Sequence, residues 1–146
     1  NLTTANALDC VAGYTIVNDL SLRDRLTRDD IIFKYDWFGQ KTFDTACPMG
    51  PWMTPAEQVA DPQHLAMKLW VNNTLMQNSN TGRMIFSIAE QLVYLSAHVT
   101  LQPGDVVCTG TPAGVGMPKN TYLKDGDTVR LWIEGLGEFS NPVVQE

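Results

Sequence analysis

The sequence predicts an α+β fold, mainly β. Several short runs alternate in the two-residue period of strands, one segment carries clear helical spacing, and no helices stand between successive strands as parallel βαβ units require. The 146 residues are 44% hydrophobic and 18% charged, enough to bury a core. With no internal repeat, low-complexity linker or shift in composition, residues 1–146 read as one domain.

The elements follow in order. Residues 13–19 read as a strand, because Tyr14, Ile16 and Val17 supply the aromatic and β-branched content of a half-buried pleated surface; Asp19 then stands at the strand-to-turn junction. Ser21 with Asp24 three residues on resembles a capping box and predicts a helix start. Residues 25–39 interleave charges with Ile31, Ile32, Phe33, Tyr35, Trp37 and Phe38 and predict a surface loop or short helix. Those large side chains either cover a pocket or pin the loop to the body. Residues 40–54 are too broken by Pro and Gly for a helix, so loop and short strand are expected.

Alternation over residues 65–71, then Asn72-Asn73, then renewed strand character over 74–77 predict a hairpin, since Asn tolerates the positive φ of a tight primed turn. With Asn80 or Thr81 as the N-cap, Ile85, Ile88, Ala89, Leu92, Val93 and Ser96 fall on one face of the single main helix. Residues 101–105 predict a turn, 106–109 a short buried strand, and 109–116 a glycine-rich loop. Over 128–134, Val129, Leu131 and Ile133 share one strand face and Arg130, Trp132 and Glu134 the other, before a turn at 135–137 into a last strand over 138–144. Trp70 and Trp132, opposite their apolar neighbours, suggest a second buried side.

Charge and composition exclude several classes. Ten Lys plus Arg against 16 Asp plus Glu leave a net charge of -6, with no basic cluster to attract a polyanion, so no nucleic-acid partner is expected. No apolar run approaches the ~20 residues needed to cross a bilayer, so no membrane partner is expected either. Cys10, Cys47 and Cys108 form no CxxC pair and have no His at zinc-ligand spacing. They are expected to be free, mostly buried thiols in a cytoplasmic protein. The chain opens on Asn1 rather than Met, and a preceding part of the protein is expected.

Chemistry concentrates at three places. The loop Thr109-Gly110-Thr111-Pro112-Ala113-Gly114-Val115-Gly116 can turn backbone N–H groups and Thr hydroxyls toward an anion, yet it lacks the endings of nucleotide loops. Taken alone, a tight structural turn is its commoner meaning. Asp19 followed by Arg23 and Asp24 offers the oxygen chemistry of a hard cation such as Mg2+, although one carboxylate fills no octahedral shell and a surface ion pair is the commoner outcome. Lys41 is either a charge beside a reaction centre or an ordinary solvated lysine.

Taken together, residues 13–24, 41–44, 80–81, 84–86, 101–116, 126–127 and 134–137 occur in the order found in the fumarylacetoacetate hydrolase family, which the chain resembles from about residue 11 to 144. The resemblance implies that family's C-terminal catalytic fold, a mixed β-sandwich roll with one main helix. It implies an enzyme using Mg2+ or Mn2+ on a small 2-oxo acid, by acylpyruvate C–C hydrolysis or by isomerisation or decarboxylation of hydroxydienoates from aromatic catabolism, through an enolate stabilised by the ion. By matched position, Asp19 is the implied metal ligand, Lys41 and Arg23 are the implied catalytic cations, and Thr111 with Gly110 the implied substrate-binding pair. A homodimer is implied as well.

Two departures qualify the resemblance. The family's Glu-x-Glu metal ligands and the His and Glu of its lid match nothing in residues 1–12, and Leu26 stands where some hydrolases carry Gln. The 146 residues alone are therefore expected to bind Mg2+ weakly and turn over little, with the remaining ligands outside this segment. The alternative is a truncated or divergent non-catalytic member that acts as a binding or oligomerisation module.

Overall fold

A computed structural model describes residues 2–145. Among these, six strands make two antiparallel sheets and one long helix packs beside them, the α+β, mainly-β class that the patterning predicts. The smaller sheet pairs β1 (Gly13–Val17) with β2 (Met49–Pro55), Val17 lying opposite Met49. The larger runs in the order β4 (Thr74–Asn80), β3 (Ala66–Val71), β5 (Thr128–Ile133), β6 (Gly137–Pro142).

The 72–73 hairpin forms as expected, with Val71 opposite Thr74. Asn72 takes φ +54°, and its side chain is used twice: Nδ2 donates to Asp127 at 2.9 Å and Oδ1 accepts from the Thr128 N–H at 3.0 Å. The β5 alternation is also observed. Leu131 sits opposite Leu69 and Phe139, and it joins Ile16, Val59, Val129 and Leu136 in the core between the sheets. On the other face, Trp70 carries the Arg130 guanidinium 3.8 Å from its ring centre, and the Lys68 ammonium lies 5.5 Å from that of Trp132. The second side of this sheet is thus half-covered by cations stacked on indoles.

Five expectations are corrected. The main helix, α2, runs Ile88–His98, with Ser87 rather than Asn80 or Thr81 as its cap. Ser87 Oγ accepts from the Glu90 N–H while the Glu90 carboxylate accepts from the Ser87 N–H, a reciprocal box that leaves Ile85 outside the helix and exposed. Asn80 instead caps a single 3-10 turn, Thr81–Arg83, by accepting from the Gly82 N–H. Ser21 and Asp24 cap nothing, and only a 3-10 turn, Arg23–Arg25, forms there.

Residues 106–109 form no strand, because no ladder is offered to them: Val107 packs against the α2 cluster while Val106 is exposed. The large side chains of residues 32–38 neither pin the loop nor fill a pocket; Ile32 is 93% exposed, and Phe33, Tyr35, Trp37 and Phe38 are exposed with it. That loop is held by polar contacts, Arg28 bonding both Asp30 and Asp36, before the short helix α1 (Trp37–Lys41). Finally, all three cysteines are free but exposed rather than buried. No helix among the described residues is long and apolar enough to cross a membrane.

Candidate functional site

The chain beyond β1 keeps the extended path of the strand. The Asn18 N–H donates to the Pro48 carbonyl at 3.0 Å and the Leu20 N–H to the Ala46 carbonyl at 3.1 Å, so the intervening Asp19 is presented at the strand end from a fixed backbone. Opposite it, α1 delivers Lys41. Its N-cap Asp36 accepts from the Gly39 N–H at 2.7 Å, an approach that a Cβ at residue 39 would block, since that atom would lie 2.5 Å from the Asp36 carboxylate. The Gly39 bond and Arg28 hold the Asp36 carboxyl below the usual carboxylate range. Lys41, in the last turn of α1, then places Nζ 2.6 Å from Asp19 Oδ2, the lysine side chain 25% and the aspartate 52% exposed. Two charges 22 residues apart in sequence thus converge as one ion pair.

Arg23 is held by the same helix. Its Nη1 donates to Oε1 of Gln40 at 3.2 Å, and the Leu22 N–H donates to the Gln40 carbonyl at 2.9 Å. Gln40 has no exposed surface and its Nε2 finds no acceptor among the described residues. Sequence reading passed over Gln40, for which a polar residue next to Lys41 was the only signal.

Thr111 and Gly110 line a cavity of about 700 Å3 that Asp19 also lines. Gly110 takes φ +114°, and open space lies where a side chain would project. Thr111 Oγ1 accepts from Nε2 of Gln77 at 2.9 Å, and the Pro112 carbonyl accepts from the same amide nitrogen at 2.9 Å. Gln77 is, after Gln40, a second buried amide beside the candidate residues that the sequence analysis did not single out. A polar residue on the inward face of β4, opposite Leu69, was the available signal. Arg23 does not share that cavity; it lines an adjoining cleft of about 610 Å3 that meets the first at Asp19. Asp19, Thr111 and Gly110 therefore line one cavity, Lys41 is joined to it through its ion pair with Asp19, and Arg23 stands in the adjoining cleft.

Cys108, on the cavity wall, is exposed as a residue, but partial desolvation of its thiol, and then Cys47 and Asp19 close by, push the thiol up. Arg83 adds a cation to the same wall. As a metal site the donor set is incomplete. Asp19 offers one carboxylate, and among the described residues no three His, Cys, Asp or Glu side chains group closely enough to hold an ion. These residues do not form a metal cage by themselves.

A protein of Burkholderia cenocepacia (strain HI2424) that carries the name hydrolase is 49% identical over 138 residues, covering 92% of this chain and 47% of its own length. Maleylpyruvate hydrolase from Sphingobium sp. SYK-6, solved in complex with manganese(II) ion and pyruvate, superposes with a TM-score of 0.82 at 39% identity, covering 99% of this chain and 48% of that one. The 2-hydroxyhepta-2,4-diene-1,7-dioate isomerase from Mycobacterium marinum does so with a TM-score of 0.84 at 40% identity, covering 98% and 52%. The chain spans about half the length of the curated relatives it matches. Residues 1–144 match the profile described as fumarylacetoacetate (FAA) hydrolase C-terminal, and with relatives this similar along almost all of its residues the chain belongs to the fumarylacetoacetate hydrolase family.

Proposed function

We propose that the full protein is a divalent-metal-dependent enzyme acting on a small 2-oxo acid, by hydrolysis of an acylpyruvate-type C–C bond or by isomerisation or decarboxylation of a hydroxydienoate. The observation that carries this reading is the pairing of Lys41 with Asp19, 2.6 Å apart, where Asp19 lines a cavity that Thr111 also lines. Kinship with a maleylpyruvate hydrolase solved with manganese(II) and pyruvate supports it, as does kinship with a dienoate isomerase. Hydrolase and isomerase share the family, so the fold does not choose between the two chemistries.

In this reading Mg2+ or Mn2+ supplies Lewis acidity at the substrate's keto oxygen, and Asp19 is one of several ligands, the others coming from residues outside 1–146. Lys41 fixes the Asp19 carboxylate in place and brings positive charge to the reacting end of the substrate. The Thr111 hydroxyl binds a substrate carboxylate or keto oxygen, and Gly110 leaves the backbone open to its approach. Arg23, steadied by Gln40, contributes a second cation from the adjoining cleft. The reading places the protein in the cytoplasm, acting as a homodimer.

The test is spectrophotometric. The full-length protein is expected to consume the enol absorbance of an acylpyruvate only with divalent metal present, and Asp19→Ala to abolish that loss. Equal turnover in the Asp19 variant removes the ligand role. The second reading, a non-catalytic binding module, is favoured by the single carboxylate these residues supply. Saturable binding of a 2-oxo acid without metal and without turnover is its expected signature.

A further inference from the structure

Gln77 is out of place by composition. It lies on the inward face of β4 opposite Leu69, in a row continued by Leu131 and Phe139, and only 7% of its surface is exposed. An amide there is tolerated only when its hydrogen-bonding groups are used, and Nε2 is used twice, on Thr111 Oγ1 and on the Pro112 carbonyl. Among the described residues these are the only hydrogen bonds made to residues 109–115.

The loop is also seated against Gln77 by shape. At Gly114, with φ +114°, a Cβ would fall 2.1 Å from the Met76 carbonyl oxygen and 2.9 Å from Gln77 Cγ, so no larger residue allows so close an approach. The direction of the bond matters more than its presence. An amide N–H that donates to Thr111 Oγ1 occupies that oxygen as an acceptor, and the hydroxyl's own hydrogen must find another partner. Thr111 lines the cavity, so that hydrogen is left to meet an oxygen anion within it.

We infer that Gln77 is a positioning residue: it holds the Thr111 loop on β4 and sets the Thr111 hydroxyl as a donor toward the carboxylate or keto oxygen of a 2-oxo acid. The inference rests on the function proposed above and adds to it the residue that imposes the polarity of the substrate contact.

The test uses the full-length protein loaded with Mn2+, with pyruvate as the probe and calorimetric titration as the readout. Gln77→Met and Thr111→Val are each expected to weaken pyruvate binding about tenfold, the scale of one lost hydrogen bond to a charged group. The double variant is expected to be no weaker than Thr111→Val, and Thr111→Ser to restore binding. Mn2+ affinity is expected to stay unchanged throughout. If Gln77→Met does not fold, Gln77→Glu keeps the shape and turns the Thr111 hydroxyl back onto the new carboxylate, with the same expected loss.

Wild-type pyruvate affinity in a folded Gln77 variant, or additive losses in the double variant, overturns this inference alone. A wild-type protein that holds Mn2+ but not pyruvate overturns the functional reading, and this inference with it.

Discussion

Asp19 and Lys41 were both legible as candidate chemistry, each by its own surroundings in the sequence, but their 2.6 Å contact depends on how α1 is docked, which no local pattern encodes. Thr111 was legible as part of a glycine-rich loop; the residue that orients it was not, because a glutamine in a strand looks like an outward polar residue until the register is known. Arg23 was legible, but its separation from the Thr111 cavity was not, since a 3-10 turn replaces the expected helix start and hands the guanidinium to Gln40. At this scale Asn72 makes a testable case. It adopts the left-handed region and bonds both Asp127 and the Thr128 N–H, so Asn72→Ala is expected to lose about 2 kcal/mol in a urea titration, from backbone strain and the lost bonds together. An unchanged midpoint contradicts that account.

Elements were legible where one signal acted alone and misread where two competed. The β3–β4 hairpin and the β5 alternation follow from period and turn residue, and both form in the expected places. The main helix was given Asn80 or Thr81 as its cap, but Ser87 caps it because Glu90 completes the reciprocal pair, a completion that Asn80 and Thr81 lack. Ser87→Ala is expected to destabilise the protein by about 1 kcal/mol and to raise amide hydrogen exchange over the first turn of α2; unaltered protection there refutes the box as its anchor. Residues 106–109 have the composition of a strand and no neighbour to pair with, a property of the sheet order rather than of the segment.

For the whole molecule, the two sheets close over a small cluster centred on Ile16, Val129, Leu131 and Leu136, so Leu131→Ala is expected to cost about 2 to 5 kcal/mol, read as the fall in denaturant midpoint. Acid acts on the fold through carboxylates held below their ordinary range. Glu90 is held there by the side-chain and backbone groups of Ser87, Asp61 by the Gln63 N–H and then His64, and Asp127 by Asn72 and then the Lys124 N–H. A carboxyl depressed in the folded state contributes stability above its unfolded value and loses it as pH falls through the folded one. Thermal midpoints are therefore expected to be flat near neutrality and to decline below about pH 4. A midpoint that rises with acidification contradicts that assignment.

The claim on which the functional reading turns is that Asp19 binds the metal, and titration of the full-length protein with Mn2+, followed by electron paramagnetic resonance of the free ion, tests it most directly. The account predicts saturable uptake by the wild-type protein and affinity at least about tenfold weaker in Asp19→Asn, the scale on which one lost ligand interaction is read. Equal uptake by the two proteins contradicts it.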